Sequence, residues 1–140
     1  MPQTQMGLYD GIAPGLNSTQ QIDSMAFRLN VVAKTAAYTV LADESGTVFT
    51  TLGALGAVIF TLPAPSDGLV YWFFNAADQD MTVTAAAVNI FVLFNDLTAT
   101  SFAFAQAAEH IGGGMMVVSD GTYWYGFIYL GKETQTTVVV

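Results

Sequence analysis

Residues 122–130 are apolar on both faces of the β-strand that they predict. Successive side chains of a strand point to opposite sides of the sheet. One face therefore carries Trp124, Gly126, Ile128 and Leu130, and the other carries Tyr123, Tyr125, Phe127 and Tyr129. A strand with one face in water would place polar residues there. We expect the first face in the core of the domain and the four aromatic residues of the second against another subunit.

The composition also favours an oligomer. The chain has 140 residues, which suits one domain, and 53% of them are hydrophobic while only 10% are charged. An average soluble domain has about 25% charged residues. A monomer with so little charge would expose larger apolar patches than soluble monomers usually do, and subunit contacts would bury them.

The charge balance argues against several partners. Eleven acidic residues oppose three basic ones, Arg28, Lys34 and Lys132, and the net charge is −8. Nucleic acids and anionic membrane surfaces bind clusters of Lys and Arg, so we expect neither as a partner. The chain contains no cysteine, which excludes disulfides and thiolate chemistry.

A membrane-spanning segment is not predicted. The longest apolar stretch, residues 85–94, is interrupted by Asn89 and is shorter than the ~20 residues that a spanning helix needs. The first seven residues have neither the basic nor the apolar region of a signal peptide.

Residues 1–24 differ from the rest of the chain and form a separate region in our prediction. They are rich in Gln, Gly, Pro, Ser and Thr, and no helix or strand period holds among them. One interpretation is a disordered tail. The other, which we favour, is an extended N-terminal arm that contacts a partner through its spaced apolar residues: Met6, Leu8, Tyr9, Ile12 and Leu16.

Residues 25–140 predict a β domain. Runs rich in Thr, Val, Tyr and Phe are separated by turn residues about every ten positions, and they predict strands at residues 25–32, 38–41, 47–52, 57–62, 69–74, 81–85, 88–94, 98–104, 115–119 and 122–130. Asp120-Gly121 between two apolar runs predicts a hairpin. The fold class is therefore all-β, as an antiparallel β-sandwich or a small β-barrel.

Three further expectations concern local structure. Residues 104–110 precede three glycines and could form a short helix. Residues 134–140 are strongly β-prone, and we expect them to add a strand to their own sheet or to a neighbour's. No internal repeat of solenoid length is visible.

The sequence offers no credible enzyme. His110, the only histidine, lies beside Glu109 without the further groups that a catalytic or metal site needs, and we interpret it as a polar cap on a turn. Asp78 and Asp80 lack the spaced ligands of a calcium loop and predict a solvated hairpin turn. Trp72 and Trp124 could stack on a sugar, but in apolar runs they favour core or interface. We predict no catalytic residue, no cofactor and no metal.

Several motifs together resemble a known group of proteins. They are YTVLADESGTVFT at residues 38–50, GAVIFTLP at 56–63, GLVYWFFN at 68–75, DQDMTVT at 78–84 and SDGTYW at 119–124. This pattern is similar to a β-domain of virion proteins of tailed bacteriophages, which occurs in head decoration (cement) proteins and in some tail-fibre proteins. The resemblance covers residues 38–131.

The resemblance implies a structural protein that forms a homotrimer and decorates the outer surface of the phage capsid. It would be made in the host cytoplasm, and its partners would be the major capsid protein and other copies of itself. The arm would then grip the capsid. The alternatives are a tail-fibre or baseplate domain that binds a host glycan and, from another class, a secreted carbohydrate-binding module.

Overall fold

The computed structural model describes residues 28–129 and 137–139. They form twelve strands and a 3₁₀ turn at Ala42–Glu44. The strands are β1 (Asn30–Ala33), β2 (Tyr38–Thr39), β3 (Thr47–Thr50), β4 (Val58–Thr61), β5 (Val70–Phe74), β6 (Met81–Thr84), β7 (Phe91–Leu93), β8 (Asp96–Ala99), β9 (Ser101–Phe104), β10 (Gly114–Ser119), β11 (Trp124–Tyr129) and β12 (Thr137–Val139). The all-β prediction is confirmed. Residues 1–24, which include the five apolar residues of the predicted arm, lie outside the described residues.

The strands form two sheets. Sheet A has the order β1-β3-β5-β10-β11-β7-β8, and sheet B has the order β12-β9-β6-β4-β2. Phe60 of sheet B has its ring centroid 5.7 Å from that of Phe49 and 4.9 Å from that of Phe73, both in sheet A. The two sheets therefore contribute side chains to one shared aromatic core.

The first half of the chain is parallel, so the antiparallel expectation is wrong there. From β1 to β6 the chain alternates between sheet A and sheet B. As a result β1, β3 and β5 pair in parallel, and so do β2, β4 and β6. A hairpin turn reverses the chain within a sheet, whereas a link that crosses to another layer lets the next strand of the sheet run in the same direction. The turn residues between these strands are such links.

Through this alternation the chain winds into a short superhelical coil, in which each turn contributes one strand to each sheet. The sequence shows no repeat that would predict this coil. Seventeen residues separate Asn30 from its partner Thr47, and 24 separate Val48 from its partner Trp72. In sheet B the corresponding spacings are 22 residues, from Tyr38 to Phe60, and 23 residues, from Val58 to Met81, but each paired segment is only two to four residues long, which is too short to leave a visible repeat. Little recurs besides Thr39, Thr61 and Thr84 across sheet B and the burial of alternate side chains such as Phe49 and Phe73.

Antiparallel pairing dominates the second half of the chain. The predicted Asp120-Gly121 hairpin is confirmed between β10 and β11, where Ser119 lies opposite Trp124. Asp120 Oδ1 accepts hydrogen bonds of 2.8 Å from the backbone N–H groups of Thr122 and Tyr123, and Gly121 has a φ of 93°. This left-handed conformation favours glycine.

Three local features differ from the expectations. The strand predicted at residues 98–104 is two strands in different sheets, β8 and β9. Phe94 and Asn95 link β7 to β8 with φ values of 42° and 62°, a two-residue turn that is normally made by Asn-Gly. The helix predicted at residues 104–110 is wrong, because Phe104 ends β9 and Ala108 has a φ of 65°. None of the described residues belongs to a helix with the length and hydrophobicity that crossing a membrane requires.

The C-terminal strand pairs within its own chain. Thr137 lies opposite Ala103, and Val139 lies opposite Ser101, at the edge of sheet B. Of the two expectations for residues 134–140, a strand on the chain's own sheet is therefore the one that the structure has.

Candidate assembly surface

A row of apolar side chains crosses sheet A on the face opposite the core. The strand registers place Val31, Val48, Trp72, Met116 and Phe127 side by side on five neighbouring strands. Partners directly opposite in a sheet share a face. Val31 and Phe127 are 64% and 51% exposed, which shows that this face, hereafter the outer face of sheet A, points away from the core.

Two further rows extend the outer face. One contains Val70, Val118, Tyr125 and Val92, and the other contains Phe74, Gly114 and Tyr129. No charged residue occurs in the six neighbouring strands from β1 to β7, and the first one met across the sheet is Asp96 in β8. Sheet A is therefore free of charged side chains over six strands, and its outer face is mostly apolar, with Thr50 in the row of Phe74.

Sheet B has an ordinary outer face. Its register aligns four hydroxyl side chains across four strands: Thr39, Thr61, Thr84 and Ser101. Their chain neighbours Phe60, Val83 and Phe102 are fully buried, so the hydroxyl groups point outward. This is the pattern of a sheet with one face in water. The apolar outer face of sheet A therefore comes from where the apolar residues are placed in the sequence and not only from the apolar composition of the whole chain.

The structure brings the predicted interface residues to the outer face of sheet A. Tyr125, Phe127 and Tyr129 lie on it, while Tyr123 lies in the turn just before β11 and is 39% exposed. Of their neighbours on this face, the sequence predicts Trp72 in the core or in an interface but makes no such prediction for Met116 and Val48. The signal was available, because β5 is also apolar at every position. Trp124 is fully buried, so its ring is not available to stack on a sugar.

A pocket opens where the outer face meets the β10–β11 hairpin. It has a volume of about 220 Å³ and is lined by Val92, Leu97, Tyr123 and Tyr125. Asp120 lies beside the pocket, because its Oδ2 accepts a 2.6 Å hydrogen bond from the hydroxyl of Tyr125. Hydrogen bonds from the Tyr123 N–H, the Tyr125 hydroxyl and the Thr122 N–H hold the pKa of Asp120 below its usual range. The same carboxylate raises the pKa of Tyr125.

His110 is held between two carboxylates. Its Nδ1 lies 2.8 Å from Asp78 Oδ1, and its Nε2 lies 2.9 Å from Asp80 Oδ1. Carboxylate oxygens accept hydrogen bonds, so this geometry suits an imidazolium ring that donates from both nitrogens. The hydrogen bond to Asp78 raises the His110 pKa, burial opposes that effect, and the bond to Asp80 adds to it. The buried His110 side chain therefore links two loops, an arrangement hereafter called the His110 tie, and the prediction of a cap on a turn is wrong. The prediction of a hairpin turn at Asp78 and Asp80 is also wrong, since β5 and β6 belong to different sheets.

This cluster is not built for a metal. The two carboxylates bind opposite edges of the ring, so they do not converge with it on a common point. Across residues 28–129 and 137–139, no three His, Cys, Asp or Glu side chains are arranged to hold a metal ion. Sequence reasoning missed the tie because Asp80 is 30 residues from His110.

Comparisons with known proteins add no family. No protein-family model matches the chain, and no curated protein matches it.

Proposed function

We propose that this protein is a structural subunit that assembles with copies of itself through the outer face of sheet A. The observation that carries the proposal is the row of apolar side chains on that face, in which Val31 and Phe127 are 64% and 51% exposed, where sheet B has a row of hydroxyl groups. With a net charge of −8, two copies repel wherever their acidic residues meet. A charge-free apolar face is the surface on which they can associate.

The face supplies about half of the area of one standard subunit contact. Six strands spaced about 4.8 Å apart span about 24 Å, and five residues along a strand span about 17 Å, which gives an area of roughly 400 Å². A standard contact buries about 800 Å² on each partner. Exposed apolar residues around the face, such as Leu97 and Tyr123, would supply part of the remainder. A homotrimer is the assembly that we propose.

The place of this trimer is the outer surface of a tailed-phage head, where it acts as a decoration protein. Two observations support this role: the resemblance of residues 38–131 to virion β-domains, and the exposed apolar residues on the outer face of sheet A. The partner would be the major capsid protein. The hydroxyl-bearing face of sheet B would then face solvent or the capsid. The N-terminal arm would contact the capsid through Met6, Leu8, Tyr9, Ile12 and Leu16, which lie outside the described residues.

The mechanism of such a protein is passive. Each apolar contact contributes about 25 cal/mol per Å² of buried surface, and linked subunits must separate at several contacts together before a shell expands or ruptures. No proton transfer or covalent step is involved.

Two measurements test the proposal. Light scattering on the purified protein should give three times the 14.9 kDa of one chain, and a stable monomer would refute the assembly. Co-sedimentation with isolated phage heads should show saturable binding of hundreds of copies. Binding to isolated tails instead would move the function to host attachment and would favour the tail-fibre alternative.

A further inference from the structure

Arg28 is the single arginine of the chain, and it is exposed just before β1. The other cations of the described residues are already engaged. Lys34 Nζ lies 3.4 Å from the centroid of the Tyr38 ring, and His110 is held by its two aspartates. The two ion pairs within the described part of the chain both involve His110, so Arg28 takes part in neither of them.

Arg28 and the pocket lie at the same end of the strands of sheet A. Strands β1, β3 and β5 are parallel, and Arg28 precedes the first of them. β10 runs antiparallel to β5 and ends there, with the Ser119 N–H donating to the Leu69 carbonyl before β5 begins. The hairpin turn with Asp120 and Tyr123 is therefore at the end where β1 starts.

The two features lie toward opposite edges of the sheet. Arg28 adjoins β1, one edge strand, whereas the pocket is lined from β7, β8 and the start of β11. In a ring of three copies, each contact joins one part of a subunit to a different part of the next. We place the symmetry axis of the ring along the strands, which keeps both parts at the same height and brings the β1 edge of one copy to the pocket side of the next.

The pocket has the chemistry that an arginine side chain needs. Val92 and Leu97 offer apolar surface to its aliphatic stem. The tyrosine rings offer faces on which a guanidinium stacks. Asp120 accepts three hydrogen bonds from its own hairpin, and a carboxylate has about four acceptor positions, which leaves capacity for a fourth donor.

Charge favours the same pairing. Each chain has eleven acidic and only three basic residues, so a contact between two copies gains from placing a cation beside an acid. The low pKa of Asp120 keeps its carboxylate charged throughout the neutral range. A charged partner at the rim of an otherwise apolar contact also fixes the register in which two subunits meet.

We propose that Arg28 of one copy binds the pocket formed by Val92, Leu97, Tyr123 and Tyr125 of the next copy, with its guanidinium on Asp120. This inference rests on the proposed self-assembly and specifies it. The contact is directional, and three such contacts close the ring.

The test is a charge exchange read out by the oligomeric state. Light scattering over a dilution series at two salt concentrations would compare the wild-type protein with R28E, R28K and the double variant R28E/D120R. We expect R28E to raise the protein concentration of half-dissociation at least tenfold. R28K should have a smaller effect, because lysine lacks the planar donor fork, and the double variant should recover most of the loss.

Folding is controlled separately, since Asp120 also holds its own hairpin. Circular dichroism and thermal unfolding would be recorded for each variant, and Y123A, which retains Asp120, reports on the pocket alone. A trimeric R28E with wild-type affinity, or a Y123A trimer of unchanged stability, would overturn the Arg28 contact while leaving assembly intact. A monomeric wild-type protein would overturn both proposals. Normal trimers of R28E combined with weaker head binding would assign Arg28 to the capsid instead.

Discussion

Met116 lies directly opposite Phe127 on the outer face of sheet A, and no charged side chain lies beside the pair in the neighbouring strands. Phe127 is 51% exposed, although a fully apolar neighbourhood surrounds it. Its large exposed surface is what a subunit contact would bury. The relationship of these two residues makes the outer face testable with single substitutions.

Substituting Phe127→Glu should dissociate the trimer while the subunit stays folded. A charge in an apolar contact between acidic copies costs about 2 kcal/mol or more per interface, which is roughly a thirtyfold loss of affinity. As a monomer the variant should unfold within about 0.5 kcal/mol of the wild type, since the side chain does not reach the core. Thr82→Glu on the outer face of sheet B is the matched control. Equal effects of the two substitutions on light scattering would contradict the assignment of the face.

Gly126→Ala should destabilise the subunit from within. An added Cβ would lie 3.0 Å from Phe91 Cε1 and 3.2 Å from Met115 Cε. The methionine end can move, but the buried phenylalanine ring has little room, and overpacking of a core typically costs about 1–3 kcal/mol. Chemical denaturation measures this loss. Gly56→Ala is the control, because a Cβ there meets nothing within 4 Å and should change stability by less than about 0.5 kcal/mol.

The His110 tie should make stability depend on pH. The folded-state pKa of His110 is raised above 6.5, so the folded protein binds the proton more tightly than the unfolded chain does. The contribution is therefore complete below about pH 6.5 and is lost as the pH rises through the folded-state pKa. The Asp78 and Asp80 side chains are 67% and 51% exposed, so solvent screens the tie and its worth is about 1 kcal/mol.

His110→Gln isolates this effect. The difference in unfolding free energy between wild type and variant should be largest near pH 5.5 and should shrink toward alkaline pH. Asp80→Asn should reduce this pH dependence without abolishing it, because the Asp78 carboxylate still accepts a hydrogen bond from the ring. A difference that stays constant from pH 5.5 to pH 9 would show that the ring is not held as an imidazolium.

The sequence predicted local strands better than their pairing. Apolar runs at residues 69–74 and 122–130 identified β5 and β11, and alternation within the second run identified the faces of β11, because the period of two follows directly from strand geometry. The parallel coil was missed because turn residues do not reveal whether a link stays in one sheet or crosses to the other. The His110 tie was missed for a similar reason, since its partners are distant in sequence and meet only through the fold.

The outer face of sheet A was predictable in part from the sequence. Four aromatic residues were predicted as an interface from one strand, and three of them share a face with Trp72 and Met116 only because β5, β10 and β11 are neighbours. Burial pattern is encoded locally, whereas the extent of a surface depends on strand order. Strand order in turn depends on long-range packing that no short motif specifies.

Deleting residues 1–24 should separate assembly from attachment. The shortened chain retains Arg28, all twelve strands and the outer face of sheet A, so it should fold and form trimers with unchanged thermal stability. Its binding to phage heads should weaken sharply, because the arm with Met6, Leu8, Tyr9, Ile12 and Leu16 is gone. A full-length variant with Leu8, Ile12 and Leu16 changed to Ser serves as the matched control for chain length. Co-sedimentation measures both, and head binding equal to that of the wild type would refute the role of the arm.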